Sequence, residues 1–205
     1  MRVSRTFIAA AAAASLLLAG TGAAVAAPAD DTASAAPLLS RFDNGSFEYP
    51  VVTPGRFVEL PAGQTIGPWQ ITSGSVDLIG AGFWQAAEGD QSVDLSGGTA
   101  GTIAQTFTTV PGTTYTVTYA LAGNFGGAPT VKTGKVLIDG QNFQDFSFDI
   151  TGKSATDMGY VYRQFTFVAT ATATTLSFVS TTASAHGPVI DDVTVTTCPP
   201  CNSCG

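Results

Sequence analysis

Two copies of Ser-Val-Asp-Leu, at 75–78 and 92–95, bracket an aromatic pair, Phe83-Trp84, and a Glu88-Gly89-Asp90 run. Paired carboxylates around an aromatic loop are the raw material of glycoside acid/base chemistry. That chemistry needs one acid in an apolar pocket and the other ionised. The same residues would also suit two strands whose connecting loop grips a ligand. In each copy Val and Leu share one strand face, while Asp points to the other with Ser. If the apolar face lines a core, Asp77 and Asp94 face outward or toward a rim, among Ser and Gly. That setting favours solvated strand positions over a catalytic pair. His186, the only histidine, lies in a loop without a recognisable Ser/Asp partner spacing, and no GxSxG, HExxH or phosphate loop is present.

The elements that must position these residues read almost wholly as strands. "TYTVTYALAG" alternates Tyr115, Val117, Tyr119 and Leu121 against threonines. "KVLIDG", "FQDFSFDI", "YVYRQFTFVAT", "TTLSFVST" and "PVIDDVTV" are similarly rich in β-branched and aromatic residues, bounded by turn formers. Pro111-Gly112 marks a turn between two of them. Nine or ten short strands predict an all-β, antiparallel β-sandwich of the jelly-roll kind. Trp69 reads as core, and Phe143, Phe146, Phe148, Phe165, Phe167 and Phe178 as mostly core.

Around that domain, residues 1–26 read as an export signal: Arg2 and Arg5, an apolar run from Phe7 to Ala19, and Ala24-Val25-Ala26 as the cleavage site. Residues 27–41 read as a flexible leader, 42–197 as one sandwich domain, and 198–205 as a cysteine-rich tail. The expected product is secreted and extracellular, without membrane insertion. Eight Lys and Arg against fifteen Asp and Glu give a net charge of −7, which loss of Arg2 and Arg5 deepens. Such a surface lacks the basic footprint that nucleic acid or an anionic membrane requires, and it suits a neutral partner. Cys198, Cys201 and Cys204 have the spacing of half a zinc ribbon, but a closed site needs four ligands. A tail forming local or intermolecular disulfides after export, linking a partner, is the favoured reading.

"FDNGSFEYP", "GPWQITSGSVDLIG", "WQAAEGDQSVDLSGGTAGTIAQTFTTVPGTTYTVTYALAGN" and "GPVIDDVTV", in that order, resemble the choice-of-anchor C proteins of bacteria, a group related to the DUF642 proteins of plant cell walls. The resemblance covers nearly all of 42–196. It implies a galactose-binding-like jelly roll, as in many carbohydrate-binding modules, and an extracellular, polysaccharide-associated role without catalysis. Where that group carries varied C-terminal anchors, this sequence ends in its cysteine cluster. The resemblance further implies that the "NGSFE" and "DDV" strands lie together and hold a structural calcium through Glu48 and Asp191 or Asp192. Calcium takes hard oxygen ligands, so the chemistry is sound. Parity places Asp191 on the face of Val189, Val193 and Val195, which leaves Asp192 facing solvent. The alternative is a tight-turn aspartate pair bonded to backbone.

A sugar-binding surface sets aromatic faces against the C–H side of a pyranose and polar groups against its hydroxyls. The candidates are Phe83, Trp84 and Gln85 after Gly80-Ala81-Gly82, Asn124 and Phe125 in "GNFGG", and Tyr162 beside Arg163. Trp84 reads equally as a stacking platform or a core plug. The function expected is a non-catalytic binding module for cell-wall or other extracellular polysaccharide. The alternative is an adhesive surface protein with a protein partner, joined through its tail.

Overall fold

A computed structural model describes residues 41–197; the expected export signal, almost all of the expected leader and the cysteine tail lie outside the described residues. Twelve strands form two six-stranded antiparallel sheets, the expected sandwich. In chain order they are β1 (Phe57–Pro61), β2 (Thr65–Ile66), β3 (Trp69–Ser73), β4 (Ser75–Ile79), β5 (Ser92–Asp94) and β6 (Thr102–Thr108). The second half supplies β7 (Thr114–Gly123), β8 (Val131–Ile138), β9 (Gln141–Asp149), β10 (Val161–Val168), β11 (Ala173–Ser180) and β12 (Pro188–Thr197). One sheet runs β1-β4-β5-β12-β7-β10 and the other β2-β3-β6-β11-β8-β9. The strands beyond the expected number include β2, which is too short to show a period of two.

The core forms where the alternating faces meet. Trp69 is fully buried, edge-on to Phe42 at 5.6 Å and tilted against Phe47 at 5.4 Å, and its indole N–H donates to Asn44 O at 2.9 Å. Tyr119 reaches from β7 to Phe178 of β11 (5.0 Å) and Phe146 of β9 (6.1 Å), joining the two sheets. Each such burial contributes about 2–3 kcal/mol. Phe148 and Phe167 are buried as expected; Phe143 is 45% exposed and packs on Phe165 at the surface. Gly112 takes φ +80° in the Pro111-Gly112 turn between β6 and β7, a conformation only glycine adopts freely.

The two ends of the domain meet, as the resemblance implied, although 44–48 is a turn and not a strand. Val193 N donates to Gly45 O at 2.9 Å, and a Cβ on Gly45 would lie 1.8 Å from Val193 O, so no larger residue fits. Arg41 and Phe42 border the same depression as Val195, Thr196 and Thr197.

Because Tyr119 faces the core, so do Leu121, its cross-strand partner Ile190, and in turn Val93 and Leu78. The residues between them point to the outer face of the first sheet. Glu59, Asp77 and Asp94 therefore stand in one row, directly opposite one another across β1, β4 and β5, and Asp191 lies on the same face. That outer face carries the chemistry.

Candidate functional site

Along the row, burial rises step by step. Glu59 on edge strand β1 is exposed, Asp77 is half-buried, and Asp94 is fully buried. Glu59 accepts from Gly98 N at 2.8 Å, and this bond holds its carboxyl below the usual range. Asp77 is pushed up to about 6, first by burial and then by the charge of Glu59. Its Oδ1 is sealed from solvent and accepts no hydrogen bond. Burial pushes Asp94 up to about 7, although Asn124 Nδ2, Ser96 N and Gly187 N all donate to it. The expectation that Asp77 and Asp94 are solvated is corrected here. Parity assigns the outer face properly, but loops cover that face.

Those loops wall a cleft of about 440 Å³. Its residues come from β1 (Phe57, Glu59), β4 (Asp77, Ile79), the following loop (Phe83, Trp84), and the turns at Gly97-Gly98, 124–126 and 185–186. Four rings form a chain of edge-to-face contacts: Phe57 to Phe83 at 5.4 Å, Phe83 to Trp84 at 5.4 Å, and Trp84 to Phe125 at 6.3 Å. Such contacts fix ring orientation. Trp84 is buried as a core plug at the margin of the cleft. It is 6% exposed, its indole N–H donates to Ser92 Oγ at 2.9 Å, and its remaining edge borders the cleft. Phe57 and Phe83 are the exposed rings.

A family model described as "Protein of unknown function (DUF642)" matches residues 40–196. The chain belongs to the DUF642 family. Halomucin of Haloquadratum walsbyi is 34% identical over 159 residues, which are 74% of this chain but only 2% of that protein's length. Among solved structures, the DUF642 domain is similar to a family 35 carbohydrate-binding module from Clostridium thermocellum, with TM-score 0.49 and 12% identity over 70% of this chain and 99% of that one. It is also similar to the CBM22-1 xylan-binding domain of Paenibacillus barcinonensis Xyn10C, with TM-score 0.47 and 17% identity over 72% and 97%.

Of the six ligand-binding candidates in this DUF642 domain, Phe83, Trp84, Asn124 and Phe125 converge on the cleft. Gln85 and Tyr162 do not. Gln85 ties its loop to a neighbouring one, donating from its N–H to Ala155 O and accepting from Met158 N. Tyr162 lies on the far edge strand β10 and donates its hydroxyl to Asp192. Sequence reasoning passed over Phe57, Glu59 and His186 as cleft residues. Nothing in the spacing places β1 or the 185–186 turn beside Trp84; only the strand order does.

The expected calcium ligands have other partners. Glu48 Oε1 accepts from Asp90 N and Gln91 N, both at 2.9 Å. Asp191 Oδ2 accepts from Ala87 N (2.7 Å) and Glu88 N (3.1 Å), and its Oδ1 from Asp192 N (2.6 Å). N–H groups thus aim their positive ends where a cation would sit. Among the described residues no group of three or more His, Cys, Asp or Glu is placed to hold a metal. Glu48 and Asp191 thus share these oxygens with backbone N–H groups. The two buried-side carboxylates act as clamps on the 84–91 loop that carries Trp84, close to the alternative turn reading. Gln91 adds a third tie, donating to Phe47 O and Pro50 O and accepting from Val52 N.

Parity for Asp191 is also corrected. The register shifts between Asp191 and Thr194, where Asp192 has φ +44°. Beyond this bulge Val195 pairs with Val117 and faces the core, so Asp191 shares a face with Val189 but not with Val195. Burial pushes Asp191 up to about 7, and its three N–H donors offset part of that rise.

Proposed function

We propose that this domain is a secreted, non-catalytic module that binds extracellular polysaccharide in the Trp84 cleft. The observation that carries the reading is the cleft itself: four linked rings beside two carboxylates and the Asn124 amide, in a concavity of ligand size. Rings take the C–H faces of sugars, and Glu59, Asp77 and Asn124 can accept or exchange hydrogen bonds with hydroxyls. Gly98 N already orders Glu59. The 84–91 loop is clamped to the sheet by Glu48, Gln91 and Asp191, so little ordering remains to be done on binding.

Binding suits the geometry better than hydrolysis. Glycoside cleavage uses carboxyls flanking the scissile bond. Glu59 and Asp77 stand side by side on neighbouring strands and meet a bound chain from one side. The acidic composition and the export-signal pattern of residues 1–26 support an extracellular setting.

Affinity electrophoresis against soluble polysaccharides, with pull-down on insoluble ones, tests the proposal. At least one glycan is expected to retard the protein, and Phe83→Ala with Trp84→Ala should abolish the shift. Binding unchanged in that double variant, or release of reducing ends from the bound glycan, would overturn the reading.

A further inference from the structure

Glu59 and Asp77 sit opposite each other on antiparallel strands, where like charges destabilise the pair. Their side chains converge. A Cβ built on Gly97 would lie 3.0 Å from Glu59 Cγ and 3.1 Å from Asp77 Oδ1, and one on Gly98 would lie 2.8 Å from Glu59 Oε1. The glycines thus leave room for both carboxyls at one spot on the cleft wall. No Lys or Arg is among the residues lining the cleft, and His186, on the 185–186 turn, is its one basic side chain. Asp77 Oδ1 is closed off without a hydrogen bond, which leaves the rest of that carboxyl, facing the cleft, to settle its charge. The same cleft is lined by Phe57, two residues from Glu59 on the same face of β1, and by Phe83 and Trp84, which are linked to it edge-to-face. Carboxylates backed by aromatic rings are the chemistry that recognises an organic cation.

We infer that the cleft selects polysaccharides bearing free amino groups, with a sugar ammonium held by Glu59 and Asp77 beside the Phe57–Phe83–Trp84 rings. This rests on the reading that the cleft binds a glycan, and it names the class of sugar. A neutral sugar would hydrogen-bond these carboxyls without relieving their repulsion. A uronate would add a third negative charge. An N-acetylated amine keeps the ring shape but carries no charge. The free ammonium answers both carboxyls and can lie against the rings, with the sugar's C–H face on Phe83. The elevated pKa of Asp77 agrees: the site favours a neutral or neutralised carboxyl.

Calorimetry at pH 6 on the whole protein would compare a hexamer of β-1,4-linked glucosamine with its fully N-acetylated form. The free amine is expected to bind roughly tenfold tighter, from a charge-assisted contact to Glu59, a second to the ionised fraction of Asp77, and the rings. Glu59→Gln with Asp77→Asn should bring the two ligands to within about twofold, since the shape is kept and the charge removed. Asp145→Asn, an exposed acid on β9 in the other sheet, should preserve the preference. Equal loss in that control would mean attraction to the overall negative charge, and would overturn the inference. So would equal or tighter binding of the acetylated hexamer. If a neutral glycan binds through Phe83 and Trp84 with no amine preference, this inference falls while the module reading stands. If no glycan of any class binds, both fall.

Discussion

Asp77 and Asp94 occupy matching places in the repeated Ser-Val-Asp-Leu and face each other across β4 and β5, yet their surroundings could hardly differ more. Asp94 collects three donors and, with Asp191, locks the loops to the sheet. Asp77 and its other neighbour Glu59 border an aromatic cleft, and Asp77 Oδ1 has no donor at all. A carboxylate ringed by backbone N–H groups is satisfied by the fold and serves architecture. One left short of donors beside an opening has interaction capacity to spare for a ligand. Identical local sequence therefore yields opposite roles, decided by which loops arrive overhead.

The comparison breaks most sharply at Asp94. Replacement by alanine would orphan Ser96 N, Gly187 N and the Asn124 amide in a buried site, and is expected to cost about 3–4 kcal/mol of unfolding free energy in urea. A loss below about 1 kcal/mol would show that Asp94 is no clamp. A second effect is expected from pH. Asp94 and Asp191 both titrate near 7 in the native state, well above an ordinary carboxylate. The native protein thus keeps protons that the unfolded chain releases, so stability falls as pH rises from about 4 through about 7. Urea unfolding should favour pH 5 over pH 8 by roughly 2–3 kcal/mol for each of the two carboxyls; a rise in stability toward pH 8 would refute the assignment. The smallest effect sharpens the account of the clamps. Protein donors hold Glu48 and Asp191, so EDTA is expected to leave the melting temperature unchanged, and a marked drop would restore a metal between them.

The fold was legible because β7 alternates apolar residues with threonines, and burial follows that alternation from Thr114 to Tyr119. Phe83, Trp84, Asn124 and Phe125 could be picked out as aromatic or amide groups in glycine-rich loops, where exposed rings need a reason. Glu59 could not, since "FVELP" is an edge strand whose neighbour is set only by the sheet order. Asp77 was assigned to the proper face but the wrong environment, because periodicity says nothing about what a distant loop covers. Asp191 misled for a different reason: a single bulge at Asp192 reverses facing for the remainder of β12, and "IDDV" carries no visible mark of it.

The clasp between Gly45 and Val193 has a use outside recognition. With its first and last residues leaving from one spot, the sandwich can be spliced into a surface turn of an unrelated carrier without prying that carrier apart. Polymers could be studded with such units in series, each hanging from the main thread like a bead from a loop.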